Sequence, residues 1–259
     1  MTAGTDTARS GHAGPATPSR RVLAQARFEA TGLLRHGEQL LVSVVLPLMA
    51  LVGLAMGSTP DLGSGRRVDL AAAGVAAMAV MSTAFTGQAI LLAFERRYGV
   101  LRLLGTTPLG RSGLLAAKAL SVLVVLAVQL LVLGVTALAL GWRPDPVGIP
   151  LALLVGLLGT AAFAGLALLL GGTLRAEGVL ALANLIWIVL VAGGGVLVPT
   201  EQLPGALGPI ARMLPSGALG DGMRAALVEG RLDLVAALVL LVWAAGTSLL
   251  VTRVLRWSD

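Results

Sequence analysis

Cysteine is absent from the 259 residues. That excludes disulfides, thiolate metal sites and cysteine nucleophiles, and it leaves the compartment unassigned. Charge is scarce as well. Only 12% of residues are Asp, Glu, Lys or Arg, against about 25% in a soluble domain. Aromatic residues make up 3% and there are two histidines, so no basic stripe is interleaved with aromatics to hold nucleic acid. No carboxylate pair, histidine cluster or Ser/His/Asp set falls in one place. No G-x-x-x-x-G-K-[ST] loop is present to cradle phosphates, because Gly110, Gly113 and Lys118 have the wrong spacing. The sequence therefore predicts no catalytic site, no metal and no cofactor held by this chain.

What is present is apolar. Hydrophobic residues make up 56%, and the mean hydropathy is +0.90. Long uncharged runs with this composition predict an integral membrane protein. Its 34 glycines suit membrane helices, where close approach and dispersion replace the missing hydrophobic drive. The roughly ten-residue alternating segments of a β-barrel do not occur. The predicted fold is all-α, one membrane domain over residues 20–259.

Residues 1–19 (MTAGTDTARSGHAGPATPS) lack apolar periodicity and a hydrophobic core region. They read as a disordered tail and not a signal peptide, with His12 solvated. In residues 20–38, Val22, Leu23, Ala26, Ala30, Leu33 and Leu34 recur at helical spacing, and Arg20, Arg21, Arg27 and Arg35 take the other face. This predicts a basic amphipathic helix in the headgroup plane, the alternative being a solvated lead-in to the first span. His36 borders that span at headgroup level.

Six apolar windows follow: 39–60, with Pro47 inside it, then 70–94, 119–142, 146–174, 178–200 and 234–252. Each reaches the roughly 20 residues needed to cross a 30 Å core. Six spans put both termini on one side. With that side cytoplasmic, 13 of the 19 Lys and Arg residues face inward, a positive-inside bias. No window carries a charge that would mark an ion relay. Ser82, Thr83, Thr86, Gln88, Gln129, Thr136, Thr160 and Asn184 are among the polar residues within them. They serve as interhelical hydrogen-bonding groups or, for Gln88, Gln129 and Asn184, as candidates to line a substrate path. A path walled by Gly, Ala, Leu and Val suits an amphipathic or lipidic cargo.

Between the fifth and sixth windows, Pro199, Pro204, Pro209 and Pro215 punctuate a segment too short to span. Leu203 to Leu214 predicts one short helix. A second carries Leu219, Met223 and Leu227, with Ser216 as its cap. The pair reads as a re-entrant or interfacial cap on the outer side, or as a plain external loop.

The densest basic stretch past the N-terminus is Glu95 to Lys118, ERRYGVLRLLGTTPLGRSGLLAAK. Glu95, Arg96 and Arg97 close the second window, Gly99 permits a bend, and Val100, Leu101, Leu103 and Leu104 flank Arg102 on a short helix that Gly105 to Pro108 breaks. Such a helix fits a groove on another protein. Spacing alone leaves open whether it docks a partner or is an ordinary positive-inside loop.

The same residues carry a resemblance. Glu95, Arg96, Gly99, Leu101, Leu104, Thr107, Pro108, Leu109 and Lys118 are similar to the first cytoplasmic loop of ABC-2 type transporter permeases, approximately E-R-E-x-G-T-L-E-x-L-x-x-T-P-L. The chain departs at Arg97, Val100 and Arg102, which inverts the local charge. Gly195, Val196, Val198, Pro199, Leu203, Pro204, Ile210, Leu214, Pro215, Asp221 and Arg224 resemble that family's run after the fifth span. The two matches bracket the second through sixth spans.

The resemblance implies a six-span permease subunit in a bacterial cytoplasmic membrane. It would pair with a second copy or a second permease, and would sit among membrane lipids without binding nucleic acid. A separate ATPase subunit, which would hold ATP and Mg, is expected to dock on residues 95–112 through Glu95, Arg96, Arg97, Gly99, Leu101, Arg102, Leu104, Thr107 and Pro108. Export of a drug, lipid or lipid-linked glycan is the expected activity. The alternative is a non-transporting scaffold or assembly factor using the same loop without ATP.

Overall fold

The computed structural model describes residues 17–35, 37–100, 103 and 109–254. The predicted tail up to residue 16, His12 and His36 lie outside the described residues. So do Leu101, Arg102, Leu104, Thr107 and Pro108.

All regular structure among the described residues is helical. Helix α1 (Pro18–Arg35) is the predicted amphipathic helix, and α2 (Gly37–Met56) contains Pro47. A single rod, Arg67–Arg97, then follows in three parts: α3 (Arg67–Met81), one π-helical segment (Ser82–Gly87) and α4 (Gln88–Arg97). Next come α5 (Gly110–Ala139), α6 (Gly148–Thr173) and α7 (Ala176–Gly193). Two short helices, α8 (Leu207–Met213) and α9 (Pro215–Glu229), precede the closing helix α10 (Leu234–Val254).

Among the described residues, five helices are long and apolar enough to cross a membrane: the rod, α5, α6, α7 and α10, with a shorter apolar stretch, Val44–Met56, in α2. The rod is the axis of the bundle. Most of it is buried, whereas the other four show much of their apolar surface to the outside. Composition explains the difference. Ala71, Ala73, Ala77 and Ala79 are fully buried, and side chains this small let neighbours close in from every direction. Leu185 and Ile188 on α7, and Leu238 and Val242 on α10, instead face out of the bundle, an apolar surface that suits a membrane interior.

The glycines of α6 serve packing within the subunit. A Cβ on Gly148 would stand 1.9 Å from the carbonyl oxygen of Ala226 on α9, and one on Gly165 would stand 2.0 Å from Thr247 Oγ1 on α10. Those contacts hold α9 and α10 against α6.

Three boundaries differ from the sequence reading. The fifth apolar run stops being helical at Gly193, because Gly194 and Gly195 turn the chain and Gly195 adopts φ +79. Residues 194–199 instead run as coil beneath α9. Ser216 does not cap α9. The helix begins at Pro215 with Leu214 before it, and the Ser216 hydroxyl is buried without a hydrogen-bond partner. Lys118, assigned to the loop before the third window, lies inside α5, which starts at Gly110. The π-helical segment was also invisible to periodicity, because one inserted residue leaves an apolar run apolar.

Although α5 and α6 are consecutive, they barely touch each other. Both lean on the rod and leave a furrow between them. One hollow, about 370 Å³, is lined by Gln88, Leu92, Leu115, Leu123, Leu157 and Leu168. A second, about 280 Å³, lies farther along the same helices against Val75, Leu133, Leu138, Trp142, Ile149 and Leu153.

Candidate functional site

The loop between α4 and α5 is bounded by two glycines in the left-handed region, Gly99 (φ +71) and Gly110 (φ +69). A side chain at either would be strained, so the turn-out and turn-in points are set by sequence. Leu103, inside the loop, is 70% exposed.

The base of the loop is bonded to its own subunit in four directions. Lys118 Nζ on α5 lies 2.8 and 2.7 Å from the two carboxylate oxygens of Glu95 on α4. The same ammonium is 3.8 Å from Glu29 Oε2 on α1. Glu29 also accepts from Gln25 Nε2 at 2.9 Å and from the Ser121 hydroxyl at 3.3 Å. Lys118 is 7% exposed, so these are charge-assisted bonds shielded from solvent. One cation thus faces two carboxylates.

Beside it, the Arg96 guanidinium donates to the carbonyl oxygens of Gly172 and Leu174 at the end of α6. Cationic donors at a helix C-terminus satisfy carbonyls that have no intrahelical partner. Arg97 pairs with Glu177 in the first turn of α7 and lies 5.9 Å from the centre of the Tyr98 ring. Of the four described docking candidates, Glu95, Arg96 and Arg97 thus bond within the subunit and Gly99 makes the bend. Glu29, Ser121 and Glu177 are partners that sequence reasoning missed. Their only signal was a lone lysine at the foot of an apolar run.

Helix α1 packs along α5 through buried Ala26 and Ala30, while Leu23 and Phe28 stay exposed beside Arg27. A helix presenting leucine, phenylalanine and arginine outward suits a headgroup boundary.

The three path candidates do not come together. Gln129 is 2% exposed and accepts from the Thr83 hydroxyl at 2.7 Å, tying α5 to the π-helical segment. Ser82, next to it, accepts from Trp187 Nε1 at 2.7 Å. A π-helical turn breaks the regular bonding and re-aims side chains, and here two hydroxyls bond neighbouring helices. Gln88 lines the larger hollow and has no hydrogen-bond partner among the described residues. Asn184 sits on the outward face of α7 and donates to its own helix at Leu180.

At the opposite end, Arg224 on α9 donates to the carbonyl oxygens of Val196 at 2.9 Å and Gly195 at 2.7 Å, and pairs with Asp221 at 2.8 Å. Asp221 in turn accepts from the Thr200 hydroxyl and its backbone N–H. Burial pulls the Arg224 guanidinium below its ordinary value, and Asp221 opposes that shift. The Asp-x-x-Arg spacing therefore fastens the coil after α7 beneath α9.

An α-helical bundle with outward-facing leucines, a bonded loop base and a helical cap defines a multi-pass membrane protein. The chain matches the family described as ABC-2 family transporter protein over residues 41–253, and it belongs to that family. It is accordingly an ABC transporter permease, the transmembrane component of a machine whose ATPase is normally a partner. No curated protein matches the chain.

Proposed function

We propose that this chain is the permease half of an ATP-driven exporter, energised by a separate ATPase subunit that docks on residues 95–112 and holds ATP and Mg. The observation that carries the reading is the bonding of the loop base. Glu95, Arg96 and Arg97 bond α5, α6 and α7, and Lys118 of α5 carries the link on to Glu29 of α1, so a push on the loop is delivered to four elements at once. The loop acts as a coupling helix, with α1 as its companion at the cytoplasmic surface.

The chain crosses a bacterial cytoplasmic membrane six times, with both termini cytoplasmic. Helix α2 supplies the sixth crossing, and α8 and α9 form the outer re-entrant cap. A second permease pairs with it. The outward position of Asn184 makes that second subunit necessary if Asn184 is to line a path. The apolar walls favour a hydrophobic or amphipathic cargo.

The test is ATP hydrolysis and transport by the reconstituted complex. Leu101→Asp together with Leu104→Asp is expected to abolish transport while the protein remains inserted and monodisperse. Unimpaired transport by this double variant rejects the docking role. Purification without a stoichiometric P-loop ATPase favours a non-transporting scaffold.

A further inference from the structure

The larger hollow of the furrow has a composition that lipid contact alone does not explain. Its walls are leucines and alanines of α4, α5 and α6, yet Gln88 stands in them with an unbonded amide. Along α4, Gln88 is about 14 Å from Arg97 at 1.5 Å per residue. With Arg97 at the surface of a core about 30 Å thick, the amide lies close to the membrane centre. Hydrocarbon offers it no partner there, and an amide without one is costly. Thr160, whose hydroxyl is spent on Gly156 of its own helix, lines the same hollow.

Charge narrows the ligand. Lys118 reaches the hollow wall, but its ammonium is already held by Glu95 and Glu29. Among the described residues lining the hollow, no free cation is offered to an anionic headgroup. Shape narrows it further. A hollow of about 370 Å³ is in the range of small-molecule pockets.

We propose that this inner hollow binds a membrane amphiphile with an uncharged hydrogen-bonding group. The apolar chain lies along Leu92, Leu115 and Leu168, and the polar group meets the Gln88 amide. The site names a cargo class for the exporter reading and rests on that reading only for its role in transport. Binding itself needs neither ATP nor a partner.

The experiment therefore uses the full chain in lipid nanodiscs without ATP or ATPase. The probe is a monoacylglycerol carrying a diazirine in its chain, with the corresponding diazirine fatty acid as the anionic comparison. Saturable photolabelling is expected on peptides covering 115–123 and 157–168, at least fivefold above the outward face of α10 around Leu238 and Val242. Gln88→Met, which keeps the volume and removes the amide, should lower it about fivefold. Ala164→Trp, which fills the hollow from the α6 wall, should abolish it. Each variant is checked for monodisperse elution. The fatty acid should label more weakly than the monoacylglycerol.

Labelling no stronger than on α10 means annular lipid only and overturns the proposal. So does indifference to both variants, stronger labelling by the fatty acid, or an Ala119→Cys disulfide between two copies, which would put a second subunit in the furrow. In the wild-type chain, saturable labelling without ATP-driven export overturns the transport reading and leaves the site. Export without labelling does the reverse.

Discussion

At the capped end of the bundle, Arg224 gives its guanidinium to two carbonyls and one carboxylate within a single stretch, residues 195–224. At the opposite end, by the α4–α5 loop, Lys118 is shared between carboxylates from two other helices, α1 and α4. Both clusters are buried ion pairs, and their geometry gives them different work. The one at the cap is local and wrapped in rigid backbone. Glycines touch backbone on every side there, with a Cβ on Gly217 falling 2.1 Å from the Ala211 carbonyl oxygen and one on Gly220 falling 2.4 Å from that of Gly195. The one by the loop joins separate helices through long side chains that can exchange partners. A fastening suits the cap; an adjustable joint suits a loop base proposed to receive a push.

Arg224→Met is the most damaging change expected, because it orphans two carbonyls and leaves Asp221 unpaired in a buried site. Breaking such a pair costs about 3–5 kcal/mol, read as a lowered melting temperature in detergent and loss of monodisperse protein. Gly217→Ala comes next. The clash is with backbone that cannot give, and an overpacking cost of about 1–3 kcal/mol is expected in the same thermal assay. A wild-type melting curve for either variant would deny that the cap cluster is rigid.

Glu29→Gln is milder for the fold. It removes one of the two carboxylates facing Lys118 while keeping hydrogen-bonding atoms for Gln25 and Ser121, so stability should change by less than about 1 kcal/mol. Its effect should appear in coupling, as a changed ratio of transport to ATP hydrolysis in proteoliposomes. An unchanged ratio would make α1 a passive neighbour. Gly113→Ala should be the smallest. Its Cβ meets the flexible Leu109 side chain at 3.1 Å and Val22 Cγ2 of α1 at an ordinary 3.7 Å, and a shift within about 0.5 kcal/mol is expected. A large loss there would erase the contrast between the two ends.

Much of this layout was legible in the sequence. Charge-free windows gave the long helices, because a run without charge about 20 residues long has one stable form in lipid. The prolines and the Asp-x-x-Arg spacing marked the cap. The glycines announced close approach but not their partners, and only the packing of α6 against α9 and α10 settled that they work inside the subunit. The fifth window ran seven residues too far because Gly195, Val196, Leu197 and Val198 are as apolar as a helix while making a coil. The Lys118 cluster was hidden because Glu29 and Lys118 are 89 positions apart in the chain, and a long-range ion pair has no periodicity.

By itself the sequence determined that the chain lives in a membrane, where its apolar runs lie, and that it carries the marks of an ABC-2 permease. Those properties depend on composition and on order along the chain. Tertiary structure alone decided which charges became joints, which hydroxyls bonded neighbouring helices, and that α5 and α6 would stand apart over Gln88. Contacts between distant residues depend on how rigid helices pack, and small changes in packing place one polar group against a partner and leave another facing an open furrow.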